Sequence, residues 1–200
     1  MDLNTTRSAA ISVAAVVLAL ASSWFPVASV GVAQAQTQTL NVAVLTPCCG
    51  NPEPNGTGLA QATTLSKPDV LQVDTFTGSV TIPIPSPNLG ITSASTADIR
   101  LVLSRAGADY AECFLVLADD GDNANNNDDE GQATYLTSIV KAKIRSLTLF
   151  KQFAGSCDVD LSTGGITPGV PAVQSGDVVT ASSVVSSVRT PFLQGTFVQQ

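Results

Sequence analysis

The chain has 200 residues, enough to bury one core of ordinary size, and its 12% of charged residues is about half the usual share. Its net charge of −7 argues against nucleic acid and anionic membrane as partners, since both are bound through clustered Lys and Arg. No histidine is present, which excludes Ser-His-Asp and Cys-His nucleophiles and His-ligated zinc or iron in their usual forms, leaving carboxylate, Lys, Tyr or thiol chemistry.

Residues 1–35 read as a secretory signal peptide with a bacterial look. One cation, Arg7, precedes an apolar run from Ala9 to Ala21, and Ala33-Gln-Ala35 supplies the small-residue pattern after which cleavage is expected. The competing reading is an uncleaved anchor, which would need Trp24 to Val32 to approach the roughly 20 residues of a spanning helix. Cleavage is preferred. The mature domain, 36–200, is then secreted, extracellular or periplasmic, without stable membrane insertion, in a compartment where disulfides persist.

Gln36 to Thr39 reads as a polar arm, and Leu40 to Leu45 as a strand with Leu40, Val42 and Val44 on one face. Residues 46–58 are dense in Pro, Gly and Cys and must form a loop. The sequon Asn55-Gly56-Thr57 matters only in a host that glycosylates secreted proteins. Val70 to Phe76 and Ser79 to Ile84 read as two strands joined by a tight turn at Thr77-Gly78. Pro83, Pro85 and Pro87 cannot donate to a ladder, which places the second at a sheet edge. Ile99 to Leu103 is the next strand, turned by Ala106-Gly107.

The stretch from Tyr110 to Asp160 holds the most information. Two apolar segments, Tyr110 to Leu117 and Ser138 to Ile144, flank an acidic loop at 119–130, and the whole reads as a long β-hairpin. Between 134 and 150, strand alternation competes with a helical spacing of Leu136, Val140, Ile144 and Leu147. Strand is preferred because β-branched residues are frequent. A β-bulge near Arg145-Ser146 would explain why the apolar parity flips at Leu147 and Leu149. Lys141, Lys143, Arg145 and Lys151 fall within eleven positions and are expected to line a solvated face. Ser156 to Leu161 is a short strand, Ser162 to Gly176 a loop, and Asp177 to Val185 with Thr190 to Val198 a closing hairpin. Regular short strands between turn signals predict an all-β fold, a single disulfide-stapled domain built as an antiparallel β-sandwich or partly open barrel.

Of the four cysteines, Cys113 and Cys157 are the natural pair, closing a loop of about 44 residues for about 3–4 kcal/mol in the chain-entropy picture. Cys48 and Cys49 are left between a vicinal disulfide, crossed pairing with the other two, and an intermolecular bridge. The segment Asp119 to Glu130 holds six carboxylates and four asparagines in twelve residues. Calcium wants six to eight such oxygens, so Asp120, Asp122, Asp128, Asp129 and Glu130 are its candidate ligands, although the spacing fails the EF-hand template. The weightier reading is a solvated loop, and no cofactor is required.

With no catalytic constellation in view, the expected function is a secreted or cell-surface, non-catalytic binding or structural protein, such as an envelope, adhesive or matrix component. Its partner would be a protein, a cell surface or another copy. The arm Gln36 to Leu45 could complete a neighbour's sheet by strand addition, against the preferred reading that it pairs within its own domain. Two alternatives stand beside this. One is a carboxylate-based hydrolase using Glu112, Asp158 and Asp160, disfavoured for carbohydrate because the only Trp lies in the leader. The other is an inhibitor presenting the loop 48–58.

Overall fold

Apolar residues recurring at every second position build sheets, and among the described residues of a computed structural model of the chain they build nothing else of any length. Residues 35–50, 53, 55–68, 70–118 and 131–200 are described. Eleven strands follow in order: β1 Thr37–Pro47, β2 Thr57–Lys67, β3 Leu71–Ile84, β4 Ile99–Arg105, β5 Ala108–Leu117, β6 Gly131–Ile144, β7 Leu147–Ala154, β8 Ser156–Asp158, β9 Val178–Val185, β10 Val188–Thr196 and β11 Val198–Gln199. Among the described residues no helix is long and apolar enough to cross a membrane.

Eight strands close on themselves in the order β6-β3-β2-β1-β10-β9-β4-β5, with β5 returning to β6. The fold is therefore a closed antiparallel barrel, in keeping with the barrel expected as one option and not with the sandwich. Closure depends on two narrow seams. At one, β1 leaves β11 after Asn41 and Val42 and pairs with β10 through Thr46 and Pro47. At the other, β5 leaves β8 after Phe114 and pairs with β6 through Val116 and Leu117. Strands that change partner along their length turn two sheets into one barrel, abolishing edges at those seams.

Side chains from every wall meet inside: Phe76, Val80 and Ile82 from β3, Leu101 and Leu103 from β4, Tyr135 and Ile139 from β6, and Phe192 and Leu193 from β10, all at 1% exposure or less. Burial pushes the Tyr135 phenol up to about 12, and its OH donates to the Ala94 carbonyl at 3.0 Å. One close contact accounts for a turn that is not there. Thr77-Gly78 does not reverse the chain; β3 runs unbroken for 14 residues. Gly78 faces the core, where an added Cβ would lie 2.4 Å from Leu101 Cδ1, so glycine serves close approach across the barrel.

Other expectations change for equally local reasons. β3 is central, between β2 and β6, but Pro83 lies beyond the last β2 pair, Thr57 with Thr81, where only β6 flanks it through Gln132. The polar arm is partly strand, since β1 begins at Thr37. β2 lacks the bulky apolar alternation that marks a strand and went unread. The long central hairpin reduces to two residue pairs, Val116 with Leu136 and Leu117 with Tyr135. Arg145-Ser146 is a turn, with Arg145 at φ 54°, and not a bulge. The parity flips because Leu147 comes back directly opposite Ile144. Strand structure across 134–150, the Ala106-Gly107 turn and the closing hairpin are as expected. Both disulfides form: Cys113 with Cys157 across the β5–β8 pair, and Cys48 with Cys49 as a vicinal bridge.

Candidate binding surface

Register decides which side chains share a face, and it gives one end of the sheet an unusual composition. From Phe76 onward, alternate residues of β3 enter the core; from Leu71 to Thr75 none is buried. The same holds for the last residues of β2 and β6 and for all of β7. Parts of β2, β3, β6 and β7, with the first residues of β1 paired to β2, thus run past the barrel as a sheet extension. Its outer face, opposite the side continuous with the core, carries an apolar row in register: Leu65, Val73, Ala142 and Leu149. The next row holds Lys67, Leu71, Ile144 and Leu147. Ile144, Leu147 and Leu149 are 43%, 57% and 51% exposed. The inner face is polar by comparison, with rows Thr64-Asp74-Lys141-Phe150 and Ser66-Gln72-Lys143-Thr148.

β7 borders this surface. It pairs with β6 along one side, and among the described residues no strand pairs with its other side. Phe153, 61% exposed, lies under the Lys151 ammonium at 4.5 Å from the ring centroid. An exposed edge strand carrying Leu147, Leu149, Phe150 and Phe153 is a template for pairing. Contiguous exposed apolar surface marks interaction sites.

Charge is segregated as well. Lys67, Lys141, Lys143, Arg145 and Lys151 are all exposed and all belong to the extension, but they do not share the one face expected of them: Lys141 and Lys143 lie on the inner face, Lys67 and Lys151 on the outer, and Arg145 in the β6–β7 turn. Lys67, Lys143 and Arg145, with Val70, Leu71 and Gln72, line a cleft of about 380 Å³ between the β2–β3 and β6–β7 turns. Those turns are tied together, since the Arg145 amide donates to the Val70 carbonyl at 3.2 Å.

The remaining arginines of the described residues, Arg100, Arg105 and Arg189, each pair with carboxylates. Arg105 forms a two-pronged pair with buried Asp177, Nε to Oδ1 and Nη2 to Oδ2 both at 2.8 Å. Asp177 Oδ2 also accepts from Tyr110 OH at 2.9 Å and from the Gln174 amide at 2.8 Å. Burial raises the cost of its charge, but these four donors outweigh it and hold the carboxyl below its ordinary value. Burial and the Asp177 charge push the Tyr110 phenol upward. The network fastens the β4–β5 hairpin to the loop before β9. No local sequence signal marks it, because its members lie 72 and 67 residues apart.

The candidate acid-base residues are held in structural roles. Glu112 Oε1 accepts from Arg189 Nη2 at 2.6 Å and from Arg100 Nη1 at 3.3 Å. Asp158, its neighbour across the β5–β8 pair, accepts from the Thr167 and Asp160 amides. Asp160 accepts from the amide and hydroxyl of Ser162. The calcium candidates Asp120, Asp122, Asp128, Asp129 and Glu130 lie outside the described residues. Among those described, no three His, Cys, Asp or Glu residues are grouped to hold a metal. In the 48–58 loop, the Cys48 amide donates to the Phe192 carbonyl and Glu53 is buried.

Fold and surface together define a disulfide-stapled closed barrel with a sheet extension. No protein-family model, curated protein or solved structure matches the chain.

Proposed function

We propose that this is an exported, non-catalytic binding or assembly module, a component of an envelope, adhesive or matrix layer, which takes up an extended segment of a protein partner along the open side of β7. The observation that carries the reading is β7 itself: an eight-residue strand, exposed on both faces, with four large apolar side chains. Strand addition supplies main-chain hydrogen bonds from the edge and side-chain pockets from the adjoining apolar rows. Two disulfides fit an oxidising, extracellular or periplasmic compartment, and the leader at 1–35 gives a route to it. The role differs from the donor role first considered for Gln36 to Leu45. That segment lies in β1, which is paired with β2 along its length and with β10 and β11 on its other side.

A synthetic peptide with the β7 sequence, Leu147 to Ala154, is a suitable strand probe. Adding it should slow hydrogen exchange at β7 amides in the intact protein, and the Leu149→Lys/Phe153→Lys variant should lose that protection while melting like the wild type. If β7 exchange is unchanged by peptide and by protein concentration, the edge takes no strand and the reading fails.

A further inference from the structure

We infer that the cleft lined by Lys67, Lys143 and Arg145 receives the acidic segment Asp119 to Glu130 of a second copy of this chain, joining copies head to tail. The inference rests on the reading of this barrel as a binding or assembly module, but it uses a different surface from the β7 edge. Charge is the first argument. The extension gathers five of the chain's nine cations, Lys67, Lys141, Lys143, Arg145 and Lys151. Against them stand Asp74, which faces Lys141 across the β3–β6 pair and accepts from the Gln72 amide group, and Asp69, which lies outside the described residues. The acidic segment carries six of the sixteen carboxylates with no cation among them. A protein of net charge −7 thus keeps a positive end and a strongly negative one.

Geometry is the second argument. The acidic segment joins β5 to β6, and its near anchor is fixed, since the Ala118 amide donates to the Thr134 carbonyl at 2.8 Å. The cleft lies at the other end of the same strand, beside Lys143. From Thr134 to Ile144 is ten residues, about 33 Å at the usual strand rise. No carboxylate of the segment is more than six residues, roughly 21 Å fully extended, from the nearer of Ala118 and Thr134. The segment cannot reach the cleft of its own molecule. It can reach that of a neighbour placed end to end.

Such a contact is heterologous: each copy offers its acidic end to one neighbour and its cleft to another, so copies add into chains and do not stop at pairs. The cations of the cleft are exposed, so the attraction should be strongly screened by salt. Lys67 and Lys143 supply mobile point charges, and Arg145 a planar fork suited to carboxylate oxygens.

Sedimentation velocity of the intact protein tests this at about 0.01 M and about 1 M salt, between which the screening length falls from about 30 Å to about 3 Å. Wild type should form species that grow with concentration at low salt and revert to monomer at high salt. Lys143→Glu/Arg145→Glu should be monomeric at low salt, and so should Asp128→Lys/Asp129→Lys. Mixing the two variants should give pairs that do not grow further, because only the acidic end of the first and the cleft of the second remain intact. A monomeric wild type at low salt overturns the inference, as does either reversed variant assembling like wild type. Assembly that survives both reversals but disappears in Leu149→Lys/Phe153→Lys also overturns it, while leaving the edge reading of β7 intact. A synthetic peptide of residues 118–131 should bind the wild type and not Lys143→Glu/Arg145→Glu. Inorganic phosphate binding the cleft in place of that peptide would mark a small-anion site and overturn the assembly.

Discussion

β3 is one strand with two environments. From Phe76 to Ile84 its alternate residues are buried in the barrel; from Leu71 to Thr75 the same backbone, with the same neighbours β2 and β6, buries nothing. Hydrogen-bonded pairing is equally good in both halves, so pairing alone does not create a core. A sheet face is stabilised when a second wall covers it, and β4, β9 and β10 cover only the second half. The extension keeps its ladder and leaves its apolar rows available for a partner.

Truncating one phenylalanine in each region should break the symmetry most clearly. Phe76→Ala, at 0% exposure, should cost about 3–5 kcal/mol through lost transfer energy and a cavity. Phe150→Ala, in the extension and 41% exposed, should stay within about 0.5 kcal/mol. Thermal melts compare them directly; equal losses would mean the extension is packed after all.

The disulfides sharpen the same contrast. Removing Cys113–Cys157 with a double alanine variant should cost about 2–5 kcal/mol, since the bridge closes a separation of 44 residues within the core. Removing Cys48–Cys49, whose separation is 1, closes almost no loop and should scarcely move the denaturant midpoint. Next comes Gly78→Ala. Its Cβ would press on Leu101, for a loss of about 1–3 kcal/mol by overpacking at a site with no sequence mark of burial.

A smaller effect should appear with pH. The Asp177 carboxyl is held below its ordinary value of 3.8 in the folded protein, so the unfolded chain binds the proton first as acid is added. Its stabilising contribution is therefore complete above 3.8 and is lost as pH falls below that through the depressed folded value. Melts from pH 5 downward should fall less steeply for Asp177→Asn than for wild type. Equal slopes would show that the Arg105 pair does not govern this part of the acid response.

Much of the fold was legible where apolar residues alternate without interruption. β4, β5 and β9 are rich in Ile, Leu, Val and Phe between turn signals, and the positive-φ turn at Ala106-Gly107 has a glycine to mark it. β2 was illegible because its inward residues are Ala60 and Ala62, too small to signal a face, yet they fit beside larger side chains from other walls. Gly78 misled for the converse reason: glycine marks turns in sequence, and here it marks contact. Of the candidate surface, the basic cluster and the acidic segment could be read directly. The row Leu65, Val73, Ala142 and Leu149 could not, since four strands must be registered before those residues become neighbours.

By itself, then, the sequence determined most of the strands, though not β2 or the continuity of β3, favoured Cys113–Cys157 among the possible pairings, and determined the segregation of opposite charges and the exclusion of histidine chemistry, because each follows from residue type and local spacing. Tertiary structure alone decided that the sheets close into a barrel, that β3 is half packed and half bare, and that Asp177 meets Arg105 and Tyr110. These depend on which strands become neighbours, and that is settled by burial across the whole barrel, over separations that no local pattern spans.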